Sequence, residues 1–258
     1  MSGEIELDVR GEVAVLTINR PAVRNALNEA ALSEIVRCTV EFDENPAVKV
    51  LIITGSGDLA FSSGRDLKER AAKDAVAARV SHPMRDIRRN AFEAVWDCRK
   101  PTIAAVNGDA VGGGFEIALA CDLRVGVAHA RFALPEAKRG LGAAFGSTIL
   151  ARSVPSAIYY EWVYLGDFVT AADLQRWGLL NRVVASDALG AALEMAQEIA
   201  TRAPLSIARF KATLSRGREL PVAAALRADF HPDPYTSYDR VEGVAAFAEK
   251  RLPRWTGR

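Results

Sequence analysis

The chain is short of the residues that build metal centres and disulfide scaffolds. Among its 258 residues are 3 cysteines and 3 histidines. Cys38, Cys98 and Cys121 are odd in number, widely spaced and free of any CxxC pair, the pattern of reduced cytosolic thiols in apolar surroundings. His82, His129 and His231 are equally scattered, so no metal site is expected. An excess of one charge is also missing, because 33 basic residues face 32 acidic ones. That balance leaves no footprint for nucleic acid and no polybasic patch for a membrane surface. No apolar run approaches the roughly 20 residues of a membrane span. The opening MSGEIELDVR carries acidic residues where a signal peptide has its apolar segment. A cytoplasmic protein is expected. What the chain does have is 50% hydrophobic residues, enough at this length to bury a substantial core.

The most informative stretch is residues 101–122, PTIAAVNGDAVGGGFEIALACD. Residues 102–106 are apolar and β-branched, bounded by Pro101 and the turn pair Asn107-Gly108, which is the signature of a buried strand. Gly112-Gly113-Gly114 then leads directly into apolar residues at helical spacing. Glycines here remove every Cβ from the turn, so backbone can approach a ligand and the first free N–H groups of the helix point at it. The helix dipole favours an anion or a developing oxyanion at the same place. Glu116 sits in the first turn of that helix. A tight turn followed by a dipole-stabilising Glu accounts for the stretch equally well when it is taken alone.

Elsewhere, alternation on either side of Gly11-Glu12 predicts a hairpin. Asn25 or Asn28 is placed to cap a helix running to about Asp43. Residues 48–54 form an apolar run suited to a strand buried on both faces. Residues 55–70 are rich in Gly, Ser and Asp and predict a loop, in which Ser63-Gly64-Arg65-Asp66 is a second turn able to present backbone N–H groups. Residues 71–100 are expected to be mostly helical, interrupted near His82-Pro83, with a basic run from Arg85 to Arg89. Short strands are expected at 123–127 and 131–134, broken by Pro135-Glu136. Thr170 and Asp173 form a capping box, and from Asp187 the pattern is nearly all helix. Strands alternating with helices, then a helical C-terminal third, predict an α/β core with a helical appendage. We divide the chain into a core at residues 1–200 and a helical region at 201–258, whose Phe210, Leu214, Phe230 and Phe247 are expected to pack on the core or on a neighbouring subunit.

Two glycine-containing turns thus follow two buried strands, and the carboxylates Glu116 and Glu136 lie just beyond. A pair of N–H groups converging on one carbonyl oxygen is an oxyanion hole, and two carboxylates beside it can divide acid and base roles. The motifs FSSGRDLKE, AAVNGDAVGGGFEIALACD and FALPEAKRGL resemble, in order and spacing, those of the enoyl-CoA hydratase/isomerase or crotonase superfamily. The resemblance runs from NRPAVRNAL to GVAAFAEKRLPRWTGR, and FALPEAK, LQRWGLLNRVV and AFAEKRLPRWTGR are most similar to its carnitinyl-CoA dehydratase branch. It implies a spiral core of ββα units with a C-terminal helical trimerisation region. It further implies that Arg65 and Gly113 supply oxyanion-hole amides to the thioester carbonyl of an acyl-CoA. Glu116 would act as the base toward water, and Glu136 would exchange the proton at Cα. Ser63 and Asp66 match backbone positions at the adenine end of coenzyme A, while Arg24 and Lys250 match contacts to its phosphates or ribose. Lys250 would act from a neighbouring subunit of a homotrimer or dimer of trimers. Coenzyme A arrives with the substrate, and no separate cofactor is expected.

With both glutamates present, the resemblance implies reversible hydration of a 2-enoyl-CoA to a 3-hydroxyacyl-CoA. The alternatives are a Δ3,Δ2-enoyl-CoA isomerase, another CoA-thioester lyase or hydrolase, and a CoA-binding protein with little turnover. The chain departs from the family where a glycine-rich loop containing Pro is replaced by Ala143-Ala144-Phe145-Gly146-Ser147. Phe145 is expected there to narrow the pocket or displace the catalytic water. Arg65, whose role would be its backbone amide, is expected to point its side chain toward the pocket.

Overall fold

The alternating residues around Gly11 form the expected hairpin, with β1 (Ile5–Arg10) and β2 (Val13–Ile18) pairing antiparallel and Ile5 opposite Ile18. The structure, a computed structural model, describes residues 3–75, 84 and 87–258. Of the two candidate caps, Asn28 opens α1 (Glu29–Glu44) by accepting the Ala31 N–H. The apolar run beyond becomes β3 (Val50–Gly55), buried along its whole length. The loop expected after it contains a three-residue strand, β4 (Ala60–Ser62), before α2 (Leu67–Asp74). A strand that short carries no period to detect. His82-Pro83 and Arg85 lie outside the described residues.

The chain continues through α3 (Ala91–Trp96), β5 (Thr102–Val106), β6 (Asp109–Val111), α4 (Gly113–Ala120), β7 (Leu123–Val127) and β8 (Arg131–Ala133). A 3₁₀ turn at Pro135–Arg139 precedes α5 (Ala144–Leu150) and α6 (Ser156–Leu165). Then come β9 (Val169–Thr170), α7 (Ala171–Arg176) with the expected capping box, β10 (Arg182–Val184) and α8 (Ala188–Ala200). The final third holds α9 (Pro204–Gly217), α10 (Val222–Ala225) and α11 (Tyr238–Ala248).

Two sheets result. The larger has the order β1-β2-β3-β5-β7-β10 and is parallel from β2 onward, whereas the smaller has the order β4-β6-β8-β9. Each successive turn of the chain lays one strand in the large sheet and the next in the small one before leaving for a helix. This is the spiral of ββα units that the resemblance implied. Because β4, β6 and β8 run parallel, the segments that follow them emerge side by side at one end of the small sheet. Those segments are residues 63–66, 112–116 and 134–136.

Helix α4 is held on the small sheet by Phe115, fully buried with its ring centroid 5.5 Å from Phe132 and 5.4 Å from Trp162. Burying such a side chain contributes roughly 1.5–3 kcal/mol. The helix backbone also presses on β4, since a Cβ on Gly114 would stand 2.3 Å from the Ser62 carbonyl oxygen.

Helix α9 is tied to the core by Lys211, whose Nζ donates to the Lys100 carbonyl at 3.0 Å and to Asp122 Oδ2 at 2.8 Å. In the C-terminal region Phe230 is buried, whereas Phe210, Leu214 and Phe247 are exposed on this chain. Among the described residues no helix is long and apolar enough to cross a membrane.

Candidate active site

The turn after β4 and the turn after β6 meet backbone to backbone. A Cβ on Gly64 would stand 2.6 Å from the Val111 carbonyl oxygen and 3.0 Å from the Gly113 nitrogen. Gly64 is therefore glycine because the second turn leaves it no room. An isolated parallel bridge between Leu27 and Arg65 fixes the first turn, with Leu27 donating to Gly64 O and Asp66 donating to Leu27 O. In that pattern the Arg65 N–H faces away from the bridge. Neither it nor the Gly113 N–H, at the uncapped start of α4, finds a hydrogen-bond acceptor among the described residues.

Gly112 and Gly113 are glycines for different reasons. Gly112 has φ +52°, and a Cβ there would lie 2.7 Å from Glu136 Oε1. A Cβ on Gly113 would meet only ordinary contacts, 3.5 Å from the Arg65 nitrogen and 3.6 Å from Arg65 Cγ and Phe92 Cζ. The protein itself does not forbid a side chain at 113. One placed there would stand in the space in front of the two amides, the space a bound carbonyl oxygen needs.

Glu116 projects from the first turn of α4 and is only 6% exposed. Its Oε1 accepts the Gly146 N–H at 2.7 Å. Burial pushes this carboxyl above the ordinary glutamate range, opposed by the Gly146 and Phe145 N–H groups and by the Arg65 charge. Glu136 lies in the 3₁₀ turn after β8, and its buried Oε2 has no hydrogen-bond partner among the described residues. Burial first, then the neighbouring Glu116 charge, push the Glu136 carboxyl up to about 7. A buried and a half-buried carboxylate whose charges act on each other do not both ionise readily. Glu116 accepts the Gly146 N–H, which favours its ionised form.

The remaining candidate positions are arranged as follows. Arg65 Cγ borders the glycine turn, and its guanidinium pairs with Glu29 at 2.5 Å. Phe145 packs into an aromatic cluster. Its ring is buried, stacked 5.7 Å from Phe92 and edge-on 6.1 Å from Trp96, because these aromatic neighbours supply the apolar cover that the ring needs. Arg24 and Ser63 are brought together, with the Ser63 N–H donating to the Arg24 carbonyl at 2.9 Å and its hydroxyl to Val23 O at 3.3 Å. The Arg24 side chain is exposed. Asp66 Oδ1 accepts the Glu69 N–H at 3.3 Å, at the start of α2, and Oδ2 lies 3.3 Å from both terminal nitrogens of Arg20. Lys250 is exposed at the end of α11, with φ +55°. Among the described residues no hydrogen bond or ion pair joins it to the glycine turns of its own chain.

Two contributors were not singled out from the sequence. Asn25, considered there only as a helix cap, is buried at φ +56° and donates from Nδ2 to Ser56 O and Ala60 O. It pins the turn carrying Arg24 to the β3–β4 connection. An Asn tolerating a left-handed conformation is the signal that pointed to a turn clamp. Gly146 stands against Glu116, where a Cβ would be 2.9 Å from Cγ. The cluster of glycines over 140–146 was its only trace in the sequence.

Two amides without acceptors and two carboxylates of raised pKa are thus gathered at one end of the small sheet. The model of the enoyl-CoA hydratase/isomerase family matches residues 8–258, and the chain belongs to that family, whose members act on CoA thioesters. Carnitinyl-CoA dehydratase of Salmonella typhi is 38% identical over 269 aligned residues, spanning 100% of both chains. Among solved structures, an enoyl-CoA hydratase from Mycobacterium tuberculosis superposes with a TM-score of 0.89 at 33% identity, covering 99% of each chain. A probable enoyl-CoA hydratase/isomerase from Mycobacterium abscessus gives 0.87 at 35% identity, over 100% of each.

Proposed function

We propose that the protein is a hydro-lyase that adds water reversibly to a 2-enoyl-CoA thioester. The observation that carries this reading is the unequal setting of the two glutamates, since Glu116 accepts the Gly146 N–H whereas Glu136 Oε2 has no partner among the described residues. The Arg65 and Gly113 N–H groups donate to the thioester oxygen as negative charge builds on it. Glu116 removes a proton from water as the water oxygen bonds to Cβ. The π electrons move toward Cα and the thioester oxygen, and Glu136 delivers its proton to Cα as the carbonyl re-forms. Glu116 then holds the proton and Glu136 is ionised, and transfer between them resets the pair. Dehydration is the same path reversed. Arg24, Ser63, Asp66 and, from a neighbouring subunit, Lys250 hold the coenzyme A portion.

Hydration by this scheme needs one proton on the pair. Below the lower apparent pKa both groups are protonated and no base remains. Above the upper one, near the value of about 7 that burial and Glu116 impose on Glu136, the acid is lost. We expect a bell-shaped dependence of kcat/KM on pH for 2-enoyl-CoA hydration, with its alkaline limb near neutrality. A profile still rising at pH 9 would remove Glu136 as the acid. The assay panel includes short, branched, aromatic and betainyl enoyl-CoAs, and carnitinyl-CoA in the dehydration direction because the Salmonella relative is named for it. The same reading includes a homotrimer or dimer of trimers formed through residues 201–258, with Phe210, Leu214 and Phe247 in the contact. Sedimentation equilibrium giving the mass of a monomer at micromolar concentration would exclude that assembly.

A further inference from the structure

Phe145 stands where the sequence departs from the family, packed in an aromatic stack beside the glycine turn. Its ring stacks on Phe92, and the Phe92 ring edge lies 3.6 Å from where a Cβ on Gly113 would be. One aromatic stack thus touches the oxyanion-hole turn at one end and the first turn of α5 at the other. That first turn offers its Gly146 N–H to Glu116. Three features aim it there. Ala143, just before the helix, takes a left-handed conformation with φ +42°, a strained choice for a residue with a Cβ. Phe145 is anchored between Phe92 and Trp96. Gly146 has no Cβ to push Glu116 away.

We infer that Phe145 is a positioning residue for catalysis: its anchorage on Phe92 and Trp96 holds the α5 amides on Glu116 and so keeps that carboxylate the charged member of the pair. The inference rests on the hydratase reading. Arg65 is the charged group that bears on Glu116, which in turn raises the Glu136 carboxyl, and Arg65 is engaged with Glu29. α5 brings the Phe145 and Gly146 amides. Once those donors drift away, the proton is shared more evenly between the two glutamates, and each is wrong for its task part of the time.

The test compares wild type, Phe145→Ala, Phe145→Met and Gly146→Ala in hydration of a 2-enoyl-CoA across pH. Phe145→Ala is expected to lower kcat by roughly 10²-fold, the size of effect that an ångström-scale misplacement produces, while KM stays within about threefold. The acid limb of its kcat/KM profile should move up by about one pH unit, as expected when a charged group loses a hydrogen bond. Phe145→Met, which nearly conserves volume, should recover most of the loss. Gly146→Ala, which displaces Glu116 without touching the aromatic stack, should move the limb the same way and covers the case in which Phe145→Ala does not fold.

A folded Phe145→Ala with wild-type kcat and an unmoved limb would reduce Phe145 to core packing. An altered acyl-chain preference with an unmoved limb would make it a pocket wall. A wild type that hydrates nothing in the panel counts against the hydratase reading alone. The positioning role is then decided by carboxyl ¹³C titration, with the Glu116 signal assigned from Glu116→Gln. The same upward movement in Phe145→Ala upholds the role, and no movement overturns it.

Discussion

Glu136→Gln is expected to fold, to bind substrate with a KM close to that of the wild type, and to lose about 10²–10⁴-fold in kcat for hydration, the range covered by a positioned acid or base. The amide is nearly isosteric but has no acidic proton to deliver to Cα.

Stability should change in the opposite sense to activity. A carboxyl lifted in the folded state from the ordinary range to about 7 favours folding fully only below its unfolded value. That contribution is lost as pH rises through the folded one. At pH 8 the wild type carries a buried, partly unpaired carboxylate that Glu136→Gln lacks, so thermal melting of the variant should be higher there and closer to the wild type at pH 5. Gain of stability with loss of turnover is the mark of a strained catalytic group. Loss of both would make Glu136 a structural residue.

Gly113→Ala is expected to leave the fold unchanged and to lower kcat/KM by about 10²–10³-fold, the usual consequence of disabling an oxyanion-hole donor. The argument is steric and local. The new methyl meets nothing in the protein closer than 3.5 Å, and alanine is a better helix former than glycine. Its one cost is that it occupies the room in front of the Arg65 and Gly113 amides. Circular dichroism and melting temperature should match the wild type while hydration collapses. Gly114→Ala is the contrasting control, because its Cβ would collide with the Ser62 carbonyl at 2.3 Å and should cost stability first. If Gly113→Ala retained full activity, the carbonyl would not sit between these amides.

The two turns and the two glutamates could be picked out in the sequence because each carries a local mark, namely a run of glycine after an apolar strand or an acidic residue in a first helical turn. The spiral that brings them together was not readable from periodicity. β4, β6 and β8 are three residues each, too short to alternate visibly, and only the family resemblance implied their arrangement. The direction of the Phe145 ring is hidden from the sequence for a related reason. Sequence position puts it beside the catalytic pair, but the direction of its ring is set by Phe92 and Trp96, some fifty residues earlier in the chain. Asn25 was assigned to the wrong task because Asn serves equally as a helix cap and as a left-handed turn residue. Asn28 took the first role.

The central claim is that water is added across the double bond with a proton delivered to Cα. It is tested most directly by incubating the wild-type protein with a 2-enoyl-CoA in D₂O and analysing the product by mass spectrometry and NMR. The account predicts a 3-hydroxyacyl-CoA carrying one deuterium at Cα and a hydroxyl at Cβ, formed at a rate that Glu116→Gln abolishes. No hydrated product, together with conversion of a 3-enoyl-CoA into its 2-enoyl isomer by the same preparation, would contradict it.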